Sequence, residues 1–589
     1  MEKWFIKNKK ADFSLIAKQY HISEILARLI VNRNISSKEE LNQYLHGTLQ
    51  DMNNPYELKD VRKASNLLID KIREGKRIRV VGDYDVDGVV ATYVLYTALK
   101  RCGANVDYEI PDRMKDGYGI NISIIDAAYA EKIDTIITCD NGIAAINQVK
   151  HAKELGMTVI ITDHHDIPFV EEGVDRKYIV PEADAVINPK QLDCTYPFEG
   201  ICGATVAFKL IQVLYEECGI EKWESDRLIE FVSIATVCDV MDLVNENRII
   251  VKHGLKMLSS TSHLGLKALI EESKLNANCI TVYHLGFIIG PCINASGRLE
   301  SAKVGLRLLL SEDENEARLL AKKLKNLNDE RKDLTSEGLV KAVEIIENSE
   351  IKSDKVIVVY IEDCHESLAG IIAGRIKEKY NKPTIVLTKA EEGVKGSARS
   401  IEEYNMFEEL NKCKHLLSKF GGHPMAAGLS LEEENIELLR KELNGYTTLT
   451  DYDLQRKVSF DMVLPFQHIS YNLIDEIGKL EPYGKGNTKP LFAIKDVNVL
   501  KAFVLGANRN VIKLTVRDES SDYQSSYSAM IFGDVEGFER KVIDKYGEEQ
   551  LKALYQGIQN MVRMDLVFYP DINEYQGNKN IQVIVQNYR

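Results

Sequence analysis

The sequence predicts an α/β protein of several domains: a parallel-sheet domain, a long helical connector, a second and smaller α/β domain, and a C-terminal β-barrel. Three observations carry this. Short, continuously apolar runs alternate with helical segments from residue 77 to about 162, and again from 355 to about 447. A charged, proline-free helical stretch lies between them at 302–348. After Asp453 the pattern changes to short alternating segments. A length of 589 residues accommodates about three to five domains of ordinary size.

Taken in order, residues 1–75 form a mixed, helix-prone N-terminal segment with a turn signal at Asn53-Asn54-Pro55. The first α/β domain occupies 76–300, with strands at 77–81, 106–110, 133–139 and 158–162 and helices at 89–99, 121–131 and 143–155. Continuous apolar strands separated by helices mean a sheet covered on both faces. Residues 201–270 read as helices and are followed by a Gly/Pro/Asn-rich stretch at 286–298. The connector spans 301–350, where LRLLL, ARLLAKKLKNL and EGLVKAVEII carry a helical period. The second α/β domain covers 351–449. The last segment, 450–589, has strands at 491–500, 511–517, 529–533, 564–568 and 581–585. Short strands of this kind make a small barrel, with the OB-fold as the leading choice.

Composition narrows the function. Apolar residues at 44% and charged residues at 28% are ordinary globular values, which excludes a disordered or fibrous chain. A net charge of −14 argues against a broad nucleic-acid coat. It leaves room for an enzyme that holds a polyanion in one groove and neutralises phosphates with bound metal. The start, MEKWFIKNKKADF, lacks the apolar core of a signal peptide, and no apolar run reaches the roughly 18 residues of a spanning helix. The ten cysteines never form a CxxC pair, so a zinc ribbon is excluded and a reducing cytoplasm is expected.

The chemistry concentrates at strand ends, where ligands sit in such sheets. Gly82-Asp83-Tyr84-Asp85-Val86-Asp87-Gly88 directly follows the first strand. A calcium loop is excluded, because the twelfth position is Val94 where a bidentate Glu is needed and a strand precedes the loop. A solvated acidic turn would suffice if the motif stood alone. It does not: Asp140-Asn141-Gly142 and Asp163-His164-His165-Asp166 follow two further strands, and Asp239 ends or interrupts an apolar run. Each alone would be unremarkable, but in a parallel sheet these ends converge. Carboxylates with imidazole suit a divalent ion such as manganese or magnesium. Two glycine-rich stretches, 396–400 and 421–428, are not Walker loops, since no Gly-Lys-Ser/Thr follows. They are either tight turns or anion sites, with Arg399 a planar fork for phosphate.

The pattern DYDVDG, CDNG, DHH and VCDV resembles the DHH phosphoesterase superfamily, which includes manganese pyrophosphatases and oligonucleotide phosphodiesterases. Further stretches make it similar to the RecJ-like single-strand-specific exonucleases: Gly117-Tyr118-Gly119, PCINASGR at 291–298, GSARS at 396–400, GGHPMAAG at 421–428 and LEPYGKGN at 480–487. The match runs in family order from about residue 45 to the C-terminus. It departs in places. Arg79 stands where the wider superfamily often has histidine, which is typical of RecJ-like chains and argues against a pyrophosphatase. Asn141 replaces a common glycine, and Cys364 precedes His365 where an aromatic is common.

The resemblance implies hydrolysis of single-stranded DNA in the 5′→3′ direction, with release of 5′-mononucleotides, in repair and recombination. It implies two divalent ions, manganese preferred over magnesium. Asp83 and Asp140 would hold one, and Asp85, Asp140, His164 and Asp239 the other, as in two-metal phosphoryl displacement. His165 would contact phosphate. Asp163 would be a ligand or orient the histidines, and Asp87 would support the loop. Arg298, Ser397 and Arg399 would clamp a terminal 5′-phosphate, with His423 near the substrate phosphate. On the barrel, Lys501, Phe503, Arg509, Lys513, Arg517 and Tyr575 would form a basic and aromatic surface for single strands, though Phe503 equally fits a core position. Helicases and single-strand-binding protein are the expected partners, with no membrane. A small-substrate phosphoesterase needs neither connector nor barrel, and a decayed scaffold should have lost an acid or histidine.

Overall fold

The computed structural model describes residues 2–589 apart from 114–115, 173–174, 507, 519–525 and 576. The chain divides into two compact units, one of residues 48–242 and 246–455 and one of 1–47, 243–245 and 456–589.

In the larger unit, β1 (Arg77–Val81), β2 (Asn105–Glu109), β3 (Thr135–Cys139), β4 (Thr158–Thr162) and β5 (Ala185–Ile187) form a parallel sheet in the order β2-β1-β3-β4-β5. Every residue of β3 is buried, as is β1 from Ile78 onward. Burial on both faces is why these strands read as unbroken apolar runs. Helix α1 (Val86–Arg101) leaves the acidic loop after β1 and packs on α2 (Gly203–Glu217) and α3 (Ile229–Cys238).

The Gly/Pro/Asn-rich stretch is helical, contrary to what its composition implies. Helix α4 (Val282–His284) runs through a π-turn, Leu285–Ile289, into α5 (Gly290–Leu299). Its glycines serve close packing. A Cβ on Gly290 would meet Cys238 Sγ at 2.2 Å, and one on Gly297 would meet the Tyr84 carbonyl at 2.3 Å. Pro291, which has no N–H to donate, stands just after the π-turn, where the regular ladder is already interrupted.

The connector is α6 (Lys303–Leu310) followed by α7 (Glu314–Glu347), 34 residues long. Ala317, Leu320, Ala321 and Leu324 of α7 belong to the core of the first domain. Ala342 and Ile346 pack with Ile357, Val359 and Ile372 of the second. That second domain holds β6 (Ile357–Tyr360), α8 (Ala369–Tyr380), β7 (Thr384–Lys389), β8 (Val394–Arg399), β9 (Leu417–His423) and β10 (Ala426–Leu431). Its sheet order is β9-β10-β8-β7-β6, with only β6 and β7 parallel.

The smaller unit is built on β11 (Phe492–Leu505), β12 (Val511–Arg517), β13 (Ser526–Phe532), β14 (Arg563–Tyr575) and β15 (Asn578–Tyr588). The pairing runs β11-β12-β13-β15-β14, and β14 also pairs with β11, so the circuit closes. Three N-terminal helices, Phe13–Tyr20, Glu24–Val31 and Lys38–His46, complete its core through Leu26, Leu29, Ile30, Leu41 and Tyr44. Lys3–Ile6 pairs with Lys457–Phe460. Residues 1–75 therefore do not form one segment. They divide after Gly47, because the apolar faces of the first helices are covered from the far end of the chain, while Val61, Ala64 and Leu68 join the first domain's core.

Candidate metal centre and phosphate cavity

The chain leaves β1 for β2 on one side and returns to β3 on the other, so the crevice at the carboxyl ends of β1 and β3 is a topological switch point. The loops that open there carry Asp83, Asp85 and Asp140, and the loop after β4 adds Asp163, His164 and His165. Asp239 arrives separately, as the C-cap of α3. Two glycines permit the crowding. A Cβ on Gly88 would lie 2.6 Å from the Asp83 backbone, and one on Gly203 would lie 2.7 Å from Asp140 Cβ. Asp140 itself is held in the left-handed region at φ 60°.

Ligand atoms of Asp83, Asp85 and Asp140 all lie within 4.8 Å of one another, as do those of Asp87, His164 and Asp239. His164 Nε2 stands 3.2 Å from Asp140 Oδ1 and 3.7 Å from Asp239 Oδ2. Burial and then mutual repulsion push Asp83 and Asp140 well above the usual carboxylate range, and Asp85 upward as well. Burial lowers His164, which favours the neutral ring a metal needs. Asp140 Oδ1 and His164 Nε2 are buried without any hydrogen bond. Crowded acids with orphaned donor atoms are what a divalent cation satisfies. The residues fit a metal.

Asp163 has a different job. Its Oδ1 accepts from the His164 and His165 amides at 2.7 and 3.1 Å and stands 2.7 Å from His165 Nδ1. Its Oδ2 accepts from the Ile143 amide at 2.9 Å. Burial alone would raise this carboxyl, but the His165 hydrogen bond holds it below its ordinary value. Conversely, burial would lower His165, yet Asp163 lifts it to about 9. Asp163 therefore orients the histidine pair. Asp87 lies within the first turn of α1, and its two oxygens accept from the Gly203 and Ala204 amides at 2.7 and 2.8 Å, capping α2. Asn141 joins the strand ends by donating to the Val81 and Cys139 carbonyls. Arg79 pairs with Asp107 and Glu131.

A cavity of about 530 Å³ opens beside the acidic loop, lined among others by Tyr84, Arg113, Arg298, Ser397, Arg399 and Lys419. Arg298 Nη1 donates to the Ser367 carbonyl at 2.7 Å, and Arg399 Nη1 to Ser397 Oγ at 3.1 Å. Burial and the neighbouring Arg113 push both guanidiniums down, Arg298 to about 10. Glu366, the one carboxylate in the lining, pairs with Lys395. This is a pocket for an anion. His423 is not in its lining. It is 68% exposed, with Nδ1 4.0 Å from Asp166 Oδ2, beside the histidine loop.

Sequence reasoning placed Arg298, Ser397 and Arg399 but missed Arg113, Lys419 and Tyr118. The Tyr118 hydroxyl donates to the Asp140 carbonyl at 2.9 Å and approaches His165 Nδ1 at 3.1 Å. Its position inside Gly117-Tyr118-Gly119 was the available signal. In the smaller unit, Phe503 is 42% exposed and so is no core residue. It faces Lys513 across the β11–β12 ladder, with Lys501 Nζ 4.4 Å from its ring. Arg517 ends β12 on the same face as Lys513, and Arg509 precedes the strand. The side chain of Tyr575 lies outside the described residues.

An anion cavity next to a carboxylate–imidazole cluster is equipment for a phosphate ester, and "DHH family, N-terminal domain" matches residues 77–236, which makes the class that of the DHH phosphoesterases. The DHHA1 domain matches 353–448 and the RecJ OB domain matches 460–587. The chain belongs to the RecJ family. It is 36% identical to the single-stranded-DNA-specific exonuclease RecJ of Bacillus subtilis, over 99% of this chain and 70% of that one. It is 33% identical to that of Escherichia coli, over 96% and 95%. The crystal structure of RecJ from Thermus thermophilus in complex with Mn2+ superposes with a TM-score of 0.79 at 26% identity, covering 100% of this chain and 79% of that one, and that protein is also known with Mg2+.

Proposed function

We propose that this chain is a metal-dependent exonuclease that hydrolyses single-stranded DNA in the 5′→3′ direction and releases 5′-mononucleotides. One observation carries the reading: Tyr84, between Asp83 and Asp85, lines the cavity that holds Arg298, Ser397 and Arg399. A terminal phosphate in that cavity puts the adjoining phosphodiester at the acids, so cleavage starts at an end.

Asp83 and Asp140 would hold one ion, and Asp85, Asp140, His164 and Asp239 the other, with Asp140 shared. Mn2+ is preferred over Mg2+. When bound, two such ions activate a water and stabilise charge on the phosphoryl oxygens. The protein's own groups do the positioning. Asp163 favours the charged form of His165, which would donate to the substrate phosphate. Arg298, Arg399 and Ser397 hold the terminal phosphate, joined by Arg113 and Lys419, while His423 approaches the phosphate from the Asp166 side. Asp87 caps α2 and so fixes Gly203 against Asp140. In the other unit, Lys501, Phe503 and Lys513 offer an aromatic ring flanked by cations to the strand, with Arg509 and Arg517 as further backbone contacts.

Work in repair and recombination, partnership with helicases and single-strand-binding protein, and a cytoplasmic location belong to the same reading. Among the described residues no helix is long and apolar enough to cross a membrane.

The test is a manganese-dependent time course on 3′-labelled, 5′-phosphorylated single-stranded DNA, with the same strand in a blunt duplex alongside. Progressive shortening of the labelled strand with the duplex spared is the expected result. Immediate release of labelled mononucleotide would reverse the polarity. No digestion in a metal-loaded sample would move the substrate to a small phosphoester.

A further inference from the structure

We infer that Tyr283 and Phe287 form a stacking platform for nucleobases of the strand entering the metal centre. The inference rests on the proposed nuclease reading and adds a base-binding subsite to it.

The two rings are stacked, with centroids 5.1 Å apart and planes 22° from parallel. Both are exposed, Tyr283 at 61% and Phe287 at 64%. Large apolar rings left in water on a folded surface invite a partner. Their backbone, by contrast, is firmly seated: Leu285 and Ile289 are fully buried, and Cys238 Sγ lies 3.5 Å from the Leu285 carbonyl as its donor. Cys238 directly precedes Asp239, so the rings are anchored to the helix that delivers a metal-binding carboxylate.

The rings also share their helix with the phosphate cavity. Residues 282–299 are one continuous helix through the π-turn, a rare feature that recurs at functional sites. Along it, Asn294 Oδ1 accepts the Val86 amide at 3.1 Å, beside Asp85, and Arg298 lines the cavity. Asn294 and Arg298 are four residues apart on α5 and so share one of its faces, while Tyr283 and Phe287 are brought together around the π-turn. From Phe287 to Arg298 the rise is about 16 Å, the length of a few nucleotides. One helix thus presents a cation to the terminal phosphate, passes the acids, and presents aromatic faces where the following bases emerge.

Val240 is a further exposed apolar residue on the chain that follows α3. It is 59% exposed immediately after Asp239 and is held at φ 56°, a backbone region that a β-branched residue rarely adopts. Val237 and the π-turn touch at Gly286, where an added Cβ would sit 3.5 Å from Val237 Cγ1. Unpaired bases are the occupant because they are the apolar part of the ligand whose phosphates the same helix already meets. Their flat faces suit rings of any sequence context.

The experiment compares kcat/KM for a 5′-phosphorylated strand of about ten nucleotides with that for a dinucleotide, in the full-length, manganese-loaded protein. Tyr283→Ala/Phe287→Ala should lower the preference for the long strand about tenfold, the scale of one stacked base. Phe287→Trp should keep it. A long strand with abasic sites beyond its second nucleotide should erase the same preference in the wild type. An unaltered preference in the double variant, or equal treatment of abasic and intact strands by the wild type, overturns the platform. Failure of the wild type to cut either strand overturns the nuclease reading as well, a result distinct from cutting both without preference.

Discussion

The Nε2 atom of His164 lies 3.2 Å from Oδ1 of Asp140, and neither buried atom makes a hydrogen bond. Leaving two such atoms unsatisfied is costly, so their proximity is held by the fold for a third party between them. Asp140 also groups with Asp83 and Asp85, so among the described residues it is placed to be the ligand that two ions would share. Asp140→Ala should lower hydrolysis by more than about 100-fold while leaving the circular-dichroism spectrum near wild type. Activity above a few per cent would remove the shared role.

Metal should also govern stability. Without a cation, Asp83, Asp85 and Asp140 repel one another in a buried site. Chelation should therefore lower Tm, and manganese at about 100 times its Kd should restore about 2.7 kcal/mol. Asp140→Asn removes one of the repelling charges. Its metal-free form should melt above metal-free wild type, and added manganese should shift it little. Calorimetry on the four samples checks this; a metal-free Asp140→Asn protein that melts lower would refute the repulsion.

The site was legible wherever function is local. Asp83, Asp140 and the Asp163–His165 run each sit directly behind a buried strand, and an apolar run with an acid at its end is visible in sequence. What was hidden depends on distant packing. Asp87 acts through Gly203, 116 residues later. Tyr44 in the N-terminal segment donates to Asn487 Oδ1 at 2.8 Å, a partner no local period reveals. The helix at 290–299 was obscured because its glycines answer to Cys238 and Tyr84 rather than to helix propensity. Arg113 and Lys419 stand just before Gly117-Tyr118-Gly119 and GGHPMAAG, outside the stretches whose pattern draws attention.

Asp87 gives a stability prediction with a functional consequence. Two amides at the start of α2 depend on its carboxylate, and Gly203 abuts Asp140. Asp87→Ala should destabilise the chelated protein by at least about 1–2 kcal/mol, the worth of a strong cap, and lower activity through a displaced Asp140. Asp87→Asn, which keeps one acceptor, should fall between. Urea unfolding with parallel rate measurements tests the order. Equal stability of all three would show that α2 is capped some other way.

His263 makes stability depend on acidity away from the metal. Its Nε2 meets the Leu309 carbonyl at 2.9 Å and its Nδ1 accepts the Leu266 amide at 3.2 Å. Burial pushes it down to about 4. The unfolded chain, near 6.5, then binds the extra proton. Stability is present in full above pH 6.5 and is lost as pH falls toward 4, by about 3 kcal/mol. His263→Gln should flatten that part of the profile relative to wild type, and parallel profiles would assign the acid sensitivity elsewhere.

Arg399 decides whether the cavity reads the end of the strand. Its guanidinium is fixed by Ser397 Oγ and the Ala398 carbonyl at 3.1 and 2.7 Å, and with Arg298 and Arg113 it forms a cationic lining with little to neutralise it. A 5′-phosphate supplies the missing charge, a 5′-hydroxyl does not. A hydrogen bond to a charged group contributes about 1.5–3 kcal/mol. Arg399→Ala should therefore reduce the preference for 5′-phosphorylated over 5′-hydroxyl DNA by about 10- to 100-fold, chiefly by slowing the phosphorylated strand. Arg399→Lys keeps the charge without the planar fork and should recover only part of it. A preference that survives Arg399→Ala intact would place the terminal phosphate somewhere other than this cavity, and with it the source of the 5′ start.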